Sequence, residues 1–371
     1  MKIGFDAKRA FYNSRGLGNY SRDTIRILSE QNADDHFYLF TPKIKDRISF
    51  SFNSNCELVS PQGFYINVPS VWRTMGVTTD INRLNLDIYH GLSNELPFGM
   101  EKSKARSVVT MHDLIFLKFP ELYPWIDRQL YKKKYIQSCK KADVIVAISQ
   151  QTKTDLIDLI GIKEEKIKIV YQGCNPIFLQ EQTDELKASV KKKYNLPNQF
   201  LLTVGAIEPR KNHKLILDAL VVGKLDISLI IVGHSTVYTN ELKSYIHENK
   251  LDEKVKILSG VPLEDLSAIY QLATVFVYPS IFEGFGIPIL EALNSRVPVV
   301  TSTGSCFEET GGHGSCYVDP YNPQELANAL TGILNDEDKQ KLMIVEGVGH
   351  AAAFSDKSIS DNLMKIYKTL L

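Results

Sequence analysis

The chain has 371 residues, which is too long for one ordinary hydrophobic core and predicts two α/β domains. Its 43 basic and 43 acidic residues cancel, so only a local patch could attract nucleic acid or an anionic membrane, and we expect no nucleic-acid partner. A hydrophobic content of 44% is typical of an ordinary globular protein and excludes the disordered and fibrous classes.

The cysteines and the N-terminus indicate where the protein works. Five scattered cysteines without a CxxC pair favour reduced thiols. The chain enters a strand at Ile3-Gly4-Phe5, with no apolar signal region and no run long enough to cross a membrane. We therefore expect a cytoplasmic protein, compatible with a peripheral position at the inner face of the plasma membrane.

The first half alternates apolar strand patterns with helical ones. Gly16 and Gly18 follow the first strand in a glycine loop, which leads into a helix ending near Gln31. A loop selected only for tight packing explains these glycines equally well. Residues 44–69 are polar and are predicted to form an irregular loop. Residues 68–75 are predicted to form a surface helix that packs on the domain, and the alternative is that this helix contacts an acceptor substrate.

His112 is a candidate ligand contact. Residues 86–91 and 107–113 both read as strands that end in polar residues, among them His90, His112 and Asp113. In open α/β sheets, ligands gather at the carboxyl ends of the strands, although a His-Asp dipeptide often only caps a turn.

Residues 123–141 form a basic and aromatic segment that contains Lys132-Lys133-Lys134. If Ile126, Leu130 and Ile136 seat a helix on the sheet, the lysines are simply solvated. The alternative is that the segment contacts anionic lipid headgroups as a peripheral membrane surface.

The second half restarts the alternation after a polar, charged stretch, so we predict domains over residues 1–180 and 181–355. Arg210 and Lys211 follow the strand that ends in Gly205. A basic pair at the mouth of a sheet can neutralise a diphosphate without a metal ion, and a solvated pair is the alternative.

The region most informative about function is residues 279–293, where a buried strand leads through a glycine loop into a helix. Such a junction presents unpaired backbone N–H groups and the positive end of a helix dipole, which suit a phosphate. Glu283 and Glu291 would repel phosphate and instead suit hydroxyl groups of a sugar and a ribose.

This stretch resembles the signature of retaining glycosyltransferases of family 4, which have the GT-B fold, an α/β architecture of two Rossmann-like parallel-sheet domains facing across a cleft. The resemblance implies that Glu283 contacts the donor sugar and that Glu291 holds the ribose hydroxyls. It also implies that the amides of the intervening loop meet the sugar and phosphates: Gly284, Phe285, Gly286 and Ile287.

The resemblance extends to other positions. It places Gly16 and Gly18 near the donor phosphate, Arg210 and Lys211 on the diphosphate, and the backbone of Val261 at the nucleotide base. It implies that His112 contacts the sugar or stabilises the transition state, and that a C-terminal helix over about residues 356–371 packs back on the first domain. Ala206 stands where some members carry a further arginine, so the charge must come from the basic pair.

The implied activity is that of a metal-independent, retaining hexosyltransferase in cell-surface polysaccharide assembly. It would move mannose or another hexose from a nucleoside-diphosphate sugar to a glycan or lipid-linked hydroxyl, with no cofactor and no metal site. The catalytic residues would be His112, Glu283, Arg210 and Lys211. A GT-B sugar-nucleotide epimerase and a non-catalytic nucleotide-sugar-binding protein are the alternatives.

Overall fold

The computed structural model describes residues 1–13, 16–44 and 50–371. The chain divides into an N-terminal unit of Met1–Gly173 and Phe354–Leu371, and a C-terminal unit of Cys174–Ala353. The sequence placed the division at 180/181. Residues 174–180 lie with the C-terminal unit because Phe178 packs against Tyr270, with ring centroids 5.4 Å apart, and Gln271 donates a 2.7 Å hydrogen bond to the Gln180 carbonyl.

The N-terminal unit is built on a parallel seven-stranded sheet, in the order β3-β2-β1-β4-β5-β6-β7 within the described residues. Its strands are β1 (Lys2–Asp6), β2 (His36–Phe40), β3 (Cys56–Val59), β4 (Ile88–Gly91), β5 (Arg106–Met111), β6 (Val144–Ala147) and β7 (Ile167–Ile169). Its first helices are α1 (Lys8–Tyr12), α2 (Gly16–Gln31), α3 (Pro69–Val71), α4 (Val77–Arg83), α5 (Ile115–Lys118), α6 (Trp125–Lys141) and α7 (Gln150–Ile160).

The predicted loop over residues 44–69 is wrong in part, because it contains β3. This strand extends the sheet by pairing Phe37 with Cys56 and Phe40 with Val59. Only Val59 of β3 is buried, so the strand lacks the apolar run by which the inner strands were recognised. Residues 45–49 of that stretch lie outside the described part of the chain.

The predicted surface helix over residues 68–75 is helical in the structure, over Pro69–Val71 and Trp72–Gly76, but its aromatic side chain is buried and its basic side chain is largely buried. Trp72 is 1% exposed and donates a 2.8 Å hydrogen bond to Asp80. Arg73 forms ion pairs of 2.6 Å with Asp6 and 2.8 Å with Glu95. These carboxylates compensate the desolvation of the guanidinium, so Arg73 is part of the interior of the unit.

The C-terminal unit repeats the architecture with a parallel six-stranded sheet, in the order β10-β9-β8-β11-β12-β13 among the residues described. Its strands are β8 (Phe200–Val204), β9 (Ser228–Val232), β10 (Val255–Leu258), β11 (Val275–Tyr278), β12 (Val299–Ser302) and β13 (Cys316–Val318). Its helices are α8 (Asp184–Lys193), α9 (His213–Val222), α10 (Tyr238–Glu248), α11 (Leu263–Leu272), α12 (Ile287–Asn294), α13 (Phe307–Gly311), α14 (Pro323–Leu334) and α15 (Glu337–Ala351).

The two sheets share a reversal of strand order that positions the candidate site. In each, the first strand of the unit lies in the middle and the chain then builds outward on one side before crossing to the other. The loops after β1 and β4, and after β8 and β11, therefore diverge and leave a crevice at the carboxyl ends of the strands, where α/β sheets bind ligands.

The final helix, α16 (Asp356–Leu370), belongs to the N-terminal unit and packs against α2. Arg26 on α2 forms a 2.7 Å ion pair with Asp356, and Tyr367 reaches the end of β4 through a 2.6 Å hydrogen bond with His90. None of the helices in the described residues combines the length and apolar character that a membrane crossing requires.

Candidate functional site

Three predicted side chains of the C-terminal unit meet at the reversal of strand order. After β8 the chain makes a 3-10 turn over Pro209–Lys211, and after β11 it makes the loop that carries Glu283. Arg210 Nη1 and Lys211 Nζ each lie 2.7 Å from Glu283 Oε1. The adjacency of β8 and β11 therefore brings together residues more than 70 positions apart in sequence.

The charge state of Glu283 follows from these contacts. Ser280 Oγ adds a 2.6 Å hydrogen bond to the same carboxylate oxygen. Burial alone would raise the pKa of Glu283, but Lys211 and Arg210 lower it to about 2. Glu283 is thus a buried carboxylate at neutral pH. Its two cationic partners are shared with Glu208, whose Oε2 lies 3.8 Å from Arg210 Nη2, so Lys211 and Arg210 balance the two carboxylates.

Lys211 is held from a second side. Its Nζ donates a 2.6 Å hydrogen bond to the Tyr278 hydroxyl and lies 5.0 Å from the centre of that ring. Gly205 runs beside it with φ +151°, and a Cβ there would stand 3.7 Å from the Lys211 stem. Tyr278 ends β11 and is a site residue that sequence reasoning missed, since its apolar strand pattern indicated only a core position.

Glu291 lies on α12 and is oriented by Tyr270 on α11, whose hydroxyl donates a 2.8 Å hydrogen bond to it. Tyr270 is fully buried, and burial together with Glu291 raises its pKa well above the ordinary value, so the hydroxyl stays protonated and donates. No sequence pattern predicted this contact, because Tyr270 fits the apolar face of its helix.

A loop after β12 fixes the backbone of the glutamate loop. Ser305 Oγ accepts from the Glu283 amide at 3.2 Å and donates to the Glu283 carbonyl at 3.0 Å. Cys306 Sγ and Thr310 Oγ1 both donate to the Phe285 carbonyl. The sequence analysis assigned no role to this loop. In the structure it begins with a turn at Gly304 and Ser305, where both residues have positive φ angles.

The other predicted donor-binding positions lie on the same edge of the sheet. Gly286 has φ +101°, a conformation that favours glycine, and it caps α12, whose first residue is Ile287. Phe285 is 2% exposed, so any ligand contact of Phe285 must come from its backbone. Val261 lies half-buried in the turn between β10 and α11.

The N-terminal unit holds His112 just after β5. Its backbone amide donates a 2.8 Å hydrogen bond to Asn94 Oδ1, and its Nε2 lies 2.9 Å from the Leu92 carbonyl. A carbonyl only accepts, so Nε2 carries the proton. Burial lowers the pKa of His112 to about 4, so the ring is neutral at pH 7 and its Nδ1 is a hydrogen-bond acceptor.

A buried polar chain supports this histidine. His90 joins Tyr367 on one ring nitrogen and Thr110 Oγ1, at 2.8 Å, on the other. Thr110 in turn meets the Tyr20 hydroxyl at 2.9 Å, and the Tyr20 ring stands edge-on to His112 with centroids 4.6 Å apart. The orientation of the His112 ring is therefore fixed by α2 and the β4–β5 edge.

The predicted glycine loop is corrected by the structure. Gly16 and Gly18 are the first and third residues of α2, while Ser14 and Arg15 lie outside the described residues. A Cβ on Gly18 would stand 1.7 Å from the Asn13 carbonyl oxygen, whereas one on Gly16 would meet no described atom within 4 Å. Gly18 is thus required by close packing.

The predicted seating of residues 123–141 is wrong for two of its three apolar side chains. Ile126 is 66% exposed and Leu130 is 52% exposed, and α6 instead packs through Tyr135, Ser138 and Cys139.

As for metal sites, the described residues contain no group of three His, Cys, Asp or Glu side chains that could hold a metal ion.

Two family models match the chain, one on each half. Residues 14–177 match Glycosyltransferase Family 4, and residues 184–347 match Glycosyl transferases group 1. The break between the two matches lies near the division between the units.

The chain is also similar to named glycosyltransferases. The chain is 26% identical to O-antigen chain mannosyltransferase B of Escherichia coli over the full length of both proteins. It is 29% identical to O-antigen chain mannosyltransferase RfbU of Salmonella typhimurium, in an alignment that covers 61% of this chain and 60% of that protein.

Among solved structures, HepE of Anabaena in complex with UDP superposes with a TM-score of 0.76 at 18% identity, with both chains fully covered. Sucrose-phosphate synthase of Thermosynechococcus elongatus superposes with a TM-score of 0.79 at 19% identity, over all of this chain and 99% of that one. At these identities the likeness shows the fold alone.

Proposed function

Because the chain belongs to the group 1 and family 4 glycosyltransferases, which have the GT-B fold, we propose that it transfers a hexose from a nucleoside-diphosphate sugar to a hydroxyl of a glycan or lipid-linked acceptor. The observation that carries the proposal is the cluster of Arg210, Lys211 and Glu283 at the reversal of strand order. The two cations of this cluster are suited to bind the diphosphate that leaves in such a reaction.

The basic pair would stabilise the leaving group. A lysine ammonium has three N–H donors, and those of Lys211 that reach Tyr278 and Glu283 account for two. We assign the third to a phosphate oxygen, together with the N–H groups that Arg210 presents and the amides at the start of α12. These donors would act where negative charge develops as the glycosidic bond breaks.

The two glutamates would bind hydroxyl groups. The contacts of Glu283 described above converge on Oε1, so Oε2 is the oxygen that would accept from the donor sugar. Glu291, oriented by Tyr270, would accept from the ribose hydroxyls. In the N-terminal unit, the Nδ1 atom of neutral His112 would accept a hydrogen bond from a sugar hydroxyl, and His112 would not act as an acid.

Further parts of the proposal concern the sugar and the mechanism. The relatives named as O-antigen chain mannosyltransferases favour mannose as the sugar and the assembly of a cell-surface polysaccharide as the setting. We include retention of configuration, with the leaving phosphate helping to deprotonate the acceptor, and activity without a divalent cation, since the basic pair supplies the countercharge.

The test is a transfer assay with UDP, GDP, ADP and dTDP sugars and a panel of mannose-terminated acceptors, in which NMR reads the anomeric configuration of the product. We expect one donor class to be consumed only when an acceptor is present. Isomerisation of the sugar without acceptor would instead identify an epimerase, and binding without turnover a nucleotide-sugar-binding protein.

A further inference from the structure

Helix α6 exposes large apolar side chains of the kind that normally lie in a core. Trp125 is 65% exposed, Ile126 is 66% exposed and Leu130 is 52% exposed. Ile126 and Leu130 are four residues apart and so lie on one face, which Lys133 continues one turn later. This face is the opposite of the one by which α6 packs on its own unit.

Three further stretches of the N-terminal unit, at residues 64–66, at residue 75 and at residue 98, also expose large apolar side chains. Phe64 is 75% exposed, Ile66 and Met75 are each 64% exposed, and Phe98 is 49% exposed. Single exposed apolar residues are common on protein surfaces, but this number in neighbouring segments is typical of an interaction site.

Specific contacts join Phe98 and the Arg73-Thr74 turn to α6. The Phe98 amide donates a 2.7 Å hydrogen bond to the Thr74 carbonyl, and the ammonium of Lys141 on α6 lies 5.6 Å from the centre of the Phe98 ring. Glu95 forms ion pairs with both Arg73, at 2.8 Å, and Lys134 of α6, at 3.4 Å. These contacts hold Phe98 and the Arg73-Thr74 turn against α6 in the absence of any ligand.

The charge around this surface selects its partner. Helix α6 carries one carboxylate, Asp127, against six basic side chains, of which Lys134 is paired with Glu95 and Lys141 with Glu101 from other elements: Arg128, Lys132, Lys133, Lys134, Lys140 and Lys141. Exposed apolar side chains next to solvated lysines match the boundary between the acyl chains and the headgroups of an anionic bilayer. A second copy of the chain would place lysine against lysine, which is unfavourable.

We propose that this lipid-facing surface, made of Phe64, Ile66, Met75, Phe98, Trp125, Ile126, Leu130, Lys132 and Lys133, binds an anionic membrane. The apolar tips enter the headgroup boundary, and the lysines contact lipid phosphates. The inference is independent of the proposed transfer activity, because it concerns binding alone and is tested without donor or acceptor.

The two tryptophans provide a direct readout. Trp72 is 1% exposed and Trp125 is 65% exposed, so a change in emission on binding reports on Trp125. With vesicles of phosphatidylcholine and about one third phosphatidylglycerol, we expect blue-shifted emission, protection from acrylamide and sedimentation with the vesicles, all weakened by salt. Vesicles of phosphatidylcholine alone should bind much less.

Variants assign the binding to the surface. Ile126→Ser with Leu130→Ser should reduce the partition coefficient by at least about 10-fold. Lys132→Gln with Lys133→Gln should reduce it by about 5-fold for each lysine. The matched controls are Leu342→Ser with Val345→Ser on α15, where the side chains are 57% and 70% exposed, and Lys192→Gln on α8. These controls should bind as the parent protein does, and circular dichroism should show every variant folded.

Three results would overturn the proposal. The first is no binding of the parent protein to anionic vesicles, and the second is equal loss in the control variants. The third is a dimer of the parent protein, lost in Ile126→Ser with Leu130→Ser, which would assign the surface to a second copy of the chain.

Discussion

Glu283 is a carboxylate whose charge the fold fixes through Arg210, Lys211 and Ser280. Glu283→Gln keeps the shape but leaves partly buried Lys211 without its counter-charge and Arg210 with only Glu208, 3.8 Å away, at a cost of roughly 3 kcal/mol in the free energy of unfolding. We expect a lower midpoint of thermal unfolding at pH 7 and loss of transfer activity.

The pH dependence of that difference has a defined sign. The pKa of Glu283 is lowered from 4.5 to about 2, so its contribution to stability is complete above pH 4.5 and is lost as the pH falls toward 2. The difference in melting temperature between the parent protein and Glu283→Gln should therefore narrow on acidification below pH 4.5. A constant difference would show that the ion cluster is not what Glu283 supplies.

His112 should stay neutral across the working range of the enzyme. With a pKa of about 4 and its Nε2 proton on the Leu92 carbonyl, it cannot produce a titration in the pH profile of kcat/KM between about 6 and 8. The ¹⁵N signal of Nδ1 should be that of an unprotonated ring nitrogen at pH 7. We expect His112→Ala to lower kcat by about 100-fold, whereas a protonated Nδ1 would contradict the proposed sugar contact.

Tyr270 would act on the ligand through Glu291, to which its hydroxyl makes a shorter hydrogen bond than to the Pro288 carbonyl, so the proposal predicts a specific phenotype for Tyr270→Phe. Loss of one hydrogen bond to a carboxylate should weaken nucleotide diphosphate binding by about 10-fold, with the affinity for inorganic phosphate unchanged. Isothermal titration calorimetry separates the two. An unchanged nucleotide affinity would remove Tyr270 from the site.

At the scale of elements, the two glycines at the start of α2 have different surroundings, and only Gly18 is closely packed. Gly18→Ala forces a Cβ against the Asn13 carbonyl and should lower the melting temperature by several degrees. A Cβ on Gly16, the first residue of α2, would meet no described atom within 4 Å, so Gly16→Ala should be nearly neutral. Differential scanning calorimetry of both variants tests this. Equal effects would contradict the role assigned to Gly18.

Which elements could be predicted follows from how they are buried. Strands such as β8 and β11 are apolar on both faces, so their sequence alone identifies them. The edge strand β3 is mostly solvated and α1 has five residues, so neither shows a period. The wrong seating of α6 has a related cause, because apolar residues at helical spacing indicate an apolar face but not which surface covers it.

At the scale of the whole molecule, the family and the two-sheet fold could be predicted because the glutamate loop and the basic turn are contiguous motifs. The partners of those motifs could not be predicted. Tyr270 reaches Glu291, Tyr278 reaches Lys211 and Ser305 reaches Glu283 from other elements, and their own sequence patterns are those of ordinary core and turn residues.

The proposed metal independence is tested on the assembled enzyme. If Arg210 and Lys211 supply the positive charge at the diphosphate, as proposed, purified protein treated with EDTA should transfer sugar at an undiminished rate. Loss of turnover that Mg²⁺ or Mn²⁺ restores would contradict this part of the proposal.

The central claim is that the C-terminal unit binds the nucleoside diphosphate of a sugar donor through Lys211 and Glu291. The most direct measurement is thermal shift with UDP, GDP, ADP and dTDP on the parent protein and on Glu291→Gln, which keeps an acceptor for Tyr270. One nucleotide at about 100 times its dissociation constant should add about 2.7 kcal/mol to the stability of the parent protein and much less to that of the variant. No stabilisation by any nucleotide, or the same stabilisation in both proteins, would contradict the account.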